Sequence, residues 1–213
     1  MNVSRRELLA TSGTALAAGL AGCSNARSHD CDNEDPGENS EAPRAFIGDA
    51  ESDIRVKVYE DFGCPACREF YLENFPPIRQ NYIDEGLIRW EHWDYPIPAS
   101  NWSEEMASAG RGIVDRQGSS AFFEFAKGAY ETQNDHSFEV IGDLAEQVGA
   151  DRCRAITDAQ FQTYEPVINA DRAAGTDRGI EGTPTVLVEG EPIQPDQIPS
   201  TGAISTAIES RRE

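Results

Sequence analysis

Apolar positions along this chain fall into three regimes. From Leu8 to Ala21 they crowd together, interrupted by Thr11, Ser12, Gly13, Thr14 and Gly19. That run is about 14 residues long, short of the roughly 20 that a membrane-spanning helix needs. From Asp30 to Glu41 apolar residues all but vanish, and from Arg44 onward they return with a period. Ile54, Val56 and Val58 alternate with Arg55 and Lys57, which predicts a strand over 54–59. A helix is expected to open at Pro65, because proline suits the first helical position, and to be interrupted or kinked at Pro76-Pro77. A second strand is expected over 87–95, stopped by Pro96. Helices follow over 102–116, 119–131, 137–148, 151–158 and 161–178, with glycine or polar breaks between them. Gly182-Thr183-Pro184 turns the chain into a strand ending near Val188, Glu189-Gly190-Glu191 makes a hairpin, and a last helix holds Ile204 and Ile208. Strand–helix–strand at the start favours a parallel βαβ unit, hence an α/β domain with a helical block inside it.

Cys64 and Cys67 flank Pro65-Ala66 at the expected strand-to-helix turn. A two-residue gap at a helix start brings both sulfurs within bridging distance. Cys64 there faces the unpaired N–H groups and the positive end of the helix dipole. Those donors stabilise a thiolate, which makes the sulfur both a better nucleophile and a better leaving group. Cys67, one turn further in, is more buried and suited to resolving a mixed disulfide. A structural zinc site would need a second ligand pair, and only Cys31, Cys153 and three histidines remain. A purely structural disulfide needs neither the strand before it nor the helix beneath it. A copper carrier would add a nearby histidine or methionine. The pair therefore reads as redox-active, with no cofactor and no metal.

The first segment reads as an address. Arg5-Arg6 before the apolar run resembles a twin-arginine signal, and Leu20-Ala21-Gly22-Cys23 resembles a lipobox, with cleavage leaving Cys23 to carry a lipid. Residues 1–22 are then a signal peptide and 23–43 an acidic, flexible tether, six of whose twelve residues from Asp30 to Glu41 are acids. His29, Asp30, Cys31 and Asp32 include metal-ligand types, but one thiol in such a run reads as linker. Cys153 reads as a half-buried, unpaired helix residue rather than a partner for Cys31. Asn101-Trp102-Ser103 is a glycosylation sequon.

Charge changes the list of partners. The chain carries 38 acids against 18 basic residues, a net −20, and Lys57 and Lys127 are its only lysines. Such a surface repels nucleic acid and anionic lipid headgroups. Because the acids spread along the whole chain, the charge reads as adaptation to high salt, in a prokaryote and an archaeon, rather than as a binding face.

Strand–Cys64-Pro65-Ala66-Cys67–helix, then a helical block, then Gly182-Thr183-Pro184-Thr185 before a strand, resembles the DsbA-like branch of the thioredoxin superfamily. Tyr59-Glu60-Asp61-Phe62-Gly63 and Asp94-Tyr95-Pro96-Ile97 belong to the same likeness. The resemblance covers 44–213 and implies a thioredoxin-like fold with a helical insertion at about 100–178. It further implies a cis bond at Thr183–Pro184 beside Cys64, with Thr183 offering its backbone to an extended substrate segment. Thioredoxin and several relatives place a buried acid six residues before the first cysteine; here that position is Val58. Glu60 and Asp61 are the nearest acids, and Asp61 matches an acid common in this branch. It either assists proton transfer at Cys67 or caps the turn. The implied activity is thiol–disulfide exchange with exported proteins outside the cytoplasm, in the oxidase direction and served by an unidentified membrane redox partner. A membrane-linked reductase or isomerase and a non-enzymatic binding module are the rival readings.

Overall fold

The computed structural model describes residues 31, 34–97, 99–194 and 197–212; the signal over 1–22 and Cys23 lie outside them. Strands β1 (Phe46–Gly48), β2 (Arg55–Glu60), β3 (Arg89–Asp94), β4 (Thr185–Val188) and β5 (Glu191–Ile193) form one sheet in the order β1-β3-β2-β4-β5. β2 and β3 run parallel, with Val58 opposite His92 and Glu60 opposite Asp94, and the other pairings are antiparallel. Side chains alternate between faces along each strand. Val56, Val58, Trp90, Val186 and Val188 enter the main core, where the Trp90 ring meets Phe70 and Phe75. Tyr59, Trp93 and Leu187 form a smaller cluster on the other face with Tyr95 and Ile180.

The crossover between β2 and β3 is helical throughout: α1 (Pro65–Glu69), a π-helical turn over Phe70–Asn74, α2 (Phe75–Ile78) and a second π turn over Arg79–Ile83. The sequence led us to expect a break or kink at Pro76-Pro77. Those prolines cannot donate to the carbonyls one turn back. The helix accommodates them by widening on either side, with Phe75 N–H bonding Phe70 O and Asp84 N–H bonding Arg79 O.

Between β3 and β4 lie α3 (Ser103–Gln117), α4 (Ser119–Glu131), a 3₁₀ turn (Gln133–Asp135), α5 (Phe138–Gln147), α6 (Arg152–Gln160) and α7 (Glu165–Thr176); α8 (Thr201–Arg212) closes the chain. Ser137 and Asp151 start α5 and α6 by accepting N–H bonds from Val140 and Arg154. α7 lies close on the smaller cluster because Gly175 has no side chain. A Cβ there would come within 2.7 Å of the Tyr95 ring and 3.0 Å of Tyr59. This is the α/β, thioredoxin-like architecture with a helical insertion that the motif order implied.

Ionic contacts seat the insertion on the sheet. Arg111 of α3, buried, pairs with Asp94 at the end of β3 and with Asp171 of α7. Its third nitrogen donates to Pro43 O at 2.9 Å, and Arg44 also pairs with Asp171.

Two expectations change. Cys153, expected to be unpaired, forms a disulfide with Cys31 across 122 positions. The acidic segment, expected to swing free over 23–43, is held on the domain at Cys31 and again from Asn39 to Arg44. Asn39 N–H donates to Thr163 O at 2.6 Å, and the Arg111–Pro43 bond holds its end. A covalent bridge and polar contacts hold a segment that has almost no apolar surface to bury.

Replacing Cys31 and Cys153 together with serine should lower unfolding free energy by about 2–4 kcal/mol, since a bridge closing a loop this long chiefly restricts the unfolded chain. Equilibrium denaturation measures the loss, and non-reducing peptide mapping should recover the linked pair. Free thiols at both positions would show that the bridge is absent.

Candidate active site

The site is built where β2 ends. Asp61-Phe62-Gly63 makes a turn in which Asp61 Oδ1 accepts the Gly63 N–H at 2.7 Å, and Cys64 N–H bonds Asp61 O at 3.0 Å. Gly63 lies against Ser100 and Ser103, with no room for a side chain. Cys64 is the residue that caps α1, in extended conformation, and Pro65 follows as the first helical residue. The Gln133 side-chain amide, from the turn after α4, donates to Phe62 O at 2.8 Å and Cys64 O at 2.9 Å, fixing the turn from the side of the insertion.

Thr183 and Pro184 close the other side. Their peptide bond is cis, and the Cys64 thiol donates to Thr183 O at 3.4 Å. The two sulfurs differ sharply. Cys64 is 6% exposed and Cys67 fully buried. Both are free thiols here. Hydrogen bonding from the Cys67 thiol pulls Cys64 down to about 5 against the opposing effect of burial. Thr183 and the N–H groups of Cys67 and Ala66 add to the pull. Burial pushes Cys67 well above the ordinary thiol range, and hydrogen bonding to Cys64 and the charge of Glu60 push it further. One sulfur is thus prepared as a thiolate and the other as a thiol.

Asp61, read from the sequence as either a proton handler or a cap of the turn, has its carboxylate engaged in the turn and beyond: Oδ1 with Gly63, and Oδ2 with the Ile97 N–H at 3.0 Å. Burial raises it to about 6. It meets Cys67 through its backbone, its N–H donating to the sulfur at 3.4 Å. Glu60 is the carboxylate whose charge bears on Cys67. It is buried, bonded through Oε2 to His92 Nδ1 at 3.2 Å, and its Oε1 has no hydrogen-bond partner among the described residues. His92 and Gln133 carry no motif that distinguishes them in sequence, and Glu60 stood out there only as one of the two acids nearest Cys64. Only the parallel register that sets Glu60 beside Asp94 reveals Glu60 and His92 as partners.

The two His92 nitrogens face different carboxylates, so Glu60, His92 and Asp94 share no point for an ion. Among the described residues no group of three or more His, Cys, Asp or Glu is placed to hold a metal. Nor is any described helix long and apolar enough to cross a membrane. Asn101 is exposed just ahead of α3.

A cysteine pair at a helix start, with one stabilised thiolate and one buried thiol facing a cis-proline loop, defines a thiol–disulfide oxidoreductase. A family model described as thioredoxin matches residues 40–209, and the chain belongs to that family. The chain is 26% identical over 157 residues to a probable disulfide bond formation protein D of Bacillus cereus, covering 70% of this chain and 72% of that one. It is 21% identical over 164 residues to the disulfide bond formation protein D of Bacillus subtilis, covering 74% and 73%. Among solved structures, oxidised BdbD of Bacillus subtilis superposes with a TM-score of 0.72 at 21% identity, covering 85% of this chain and 98% of that one. Chlamydia trachomatis DsbA gives 0.70 at 22% identity, covering 82% and 94%.

Iodoacetamide should alkylate Cys64 at a rate that falls as pH drops through about 5, where its thiolate takes up a proton. Cys67 should stay unmodified in the folded protein at neutral pH. Mass spectrometry of protein quenched at intervals between pH 4 and 8 would show both. A midpoint near the ordinary value of about 8.5 would remove the case for an activated Cys64.

Proposed function

We propose that this chain is an extracytoplasmic disulfide oxidoreductase that oxidises exported proteins from the outer face of the plasma membrane, held there by a lipid on Cys23. The observation that carries the reading is Cys64, a stabilised thiolate in place of a helix-capping side chain. Stabilising the thiolate stabilises the reduced pair, which makes the Cys64–Cys67 disulfide ready to accept electrons. The sign follows from the depressed pKa: this stabilisation is complete above the ordinary thiol value of 9.0, declines below it and is gone once pH falls through about 5. The Cys31–Cys153 bridge supports an oxidising compartment. The spread of acids over the chain supports a salt-adapted prokaryote, an archaeon, as its source.

A substrate thiolate attacks Cys64 Sγ of the disulfide. The new bond joins substrate sulfur to Cys64, the Cys64–Cys67 bond breaks, and Cys67 leaves as a thiolate that takes a proton. Glu60, whose charge bears on Cys67, is the carboxyl through which that proton is exchanged; Asp61 shapes the turn. A second substrate thiolate then attacks its partner in the mixed disulfide, which releases oxidised substrate and leaves Cys64 as the thiolate. Two electrons have passed from substrate to the pair, and a membrane redox partner must remove them. In reverse, Glu60 carboxylate takes the Cys67 proton and Cys67 attacks Cys64 to expel substrate thiolate. Thr183, beside Cys64 in either direction, holds the substrate segment by its backbone.

Cys67→Ala should trap covalent complexes with substrate proteins, separable on non-reducing gels, whereas Cys64→Ala should trap few or none. The inverse pattern would reverse the roles, and no complexes with either variant would favour a binding module. The pair's reduction potential should lie above about −200 mV; a value near −270 mV would assign the chain to the reductase direction. Separately, Cys23→Ser should release the protein from membranes, and its retention there would exclude the lipid anchor.

A further inference from the structure

His92 is buried between two carboxylates: Nδ1 lies 3.2 Å from Glu60 Oε2 and Nε2 lies 3.2 Å from Asp94 Oδ1. Phe62 stacks on one side of the ring, at 5.7 Å between centroids, and Phe122 approaches at 4.8 Å. A neutral imidazole can donate from only one nitrogen, so with both carboxylates ionised both contacts are hydrogen bonds only when the ring is an imidazolium. Burial alone would strip that proton, but the carboxylates of Asp94 and Glu60 overcome it and hold His92 at about 9.

The ring is one member of a series of alternating charge. From inside outward it runs Glu60, His92, Asp94, Arg111, Asp171 and Arg44, crossing from β2 through β3, α3 and α7 to the N-terminal segment. Each carboxylate along it has cations on both sides except Glu60, whose Oε1 is buried without a hydrogen-bond partner among the described residues and whose charge acts on Cys67. The other titratable groups acting around the Glu60 end are Cys64 and Cys67 of α1, Tyr71 of the π turn, Tyr130 of α4 and Asp61 of the turn. None of them is a cation. His92 is therefore the charge that opposes burial in keeping Glu60 ionised.

We infer that His92 is a positioning residue for proton transfer at Cys67: as an imidazolium it holds Glu60 ionised through Oε2 and leaves Oε1 to exchange the Cys67 proton. This rests on the reading of Glu60 as the proton partner. Burial already lifts Glu60 above the usual carboxylate range against the pull of His92, and with a neutral group at position 92 Glu60 would rise further. The carboxylate that takes the Cys67 proton would then be scarcer, and resolution by Cys67 would shift to more alkaline pH.

The test follows the reduced enzyme with 5,5′-dithiobis(2-nitrobenzoate). Cys64 attacks the reagent, releasing one thionitrobenzoate and forming a mixed disulfide; Cys67 then attacks Cys64 and releases the second. Stopped-flow absorbance separates the two, and the second reads resolution. At pH 7 Glu60→Gln and His92→Gln should each slow the second release by about tenfold or more. The His92→Gln profile should move to higher pH, and the double variant should be no slower than Glu60→Gln. A wild-type rate in Glu60→Gln would overturn the proton-partner reading itself. A slow Glu60→Gln beside an unaffected His92→Gln would overturn only the positioning role, as would losses that add in the double variant, which mark a packing effect. Should His92→Gln fail to fold, the ring can be read in the wild-type protein by NMR. An imidazolium from pH 6 to 8 supports the inference, and a neutral ring at pH 7 ends it.

Discussion

The guanidinium of Arg111 is the contact on which the arrangement around Cys64 depends. Buried charge is stable only when paired and hydrogen-bonded, because bringing an ion out of water costs several kcal/mol. Arg111 is the common partner of Asp94 and Asp171, and it donates to the Pro43 carbonyl as well. One side chain thereby fixes the end of β3, the insertion helices α3 and α7, and the segment leading into β1. Asp94 then anchors His92, and His92 meets Glu60 at the end of β2, one turn before the cysteines. Apolar packing could hold the same elements together, but it would leave their rotation about the sheet loosely specified. An alternating row of charges tolerates few registers.

That rigidity lets two sulfurs three positions apart behave oppositely. Cys64 lies where the helix offers unpaired N–H groups and where Thr183 and Gln133 fix the surrounding carbonyls. Cys67 sits a turn deeper, fully buried, within reach of the backbone N–H of Asp61 and of the charge of Glu60. The pair works as a relay because the negative charge is cheap on the outer sulfur and costly on the inner one.

The sequence carried the parts of this fold that arise from local rules. Alternation marked β2, the proline after Cys64 marked the start of α1, and Ser137 and Asp151 marked two helix starts. β1 was missed because Phe46–Gly48 is too short to alternate; it exists by pairing with β3. Pro76-Pro77 marked an irregularity in this helix, but its form, a π turn on either side, follows from no local rule. The Cys31–Cys153 bridge spans 122 positions, and only tertiary structure decides which distant thiols meet. His92, Arg111 and Asp171 were the least legible, and nothing in the chain order tied Glu60 and Asp94 to them. In a chain with 38 acids a carboxylate that faces inward looks like any other. Its role follows from which strand lies beside it and in what register.

The Cys31–Cys153 disulfide sets a contrast, because a helix start does not by itself prepare a cysteine as a thiolate. Cys153 also sits in a first turn, that of α6, yet there the capping position belongs to Asp151, whose carboxylate takes the Arg154 N–H. The donors that could stabilise a thiolate are partly occupied, and a negative charge stands beside the sulfur, which opposes a second. At α1 the order is reversed. Cys64 itself occupies the capping position, no side chain competes for the N–H groups, and proline follows with no N–H to donate. The nearest carboxylates point elsewhere: Asp61 into its own turn, Glu60 toward His92. What separates an inert bridge from an exchanging one in this chain is which atom caps the helix. Asp151 spends the helix end on stability, and Cys64 leaves it available for a charge that comes and goes.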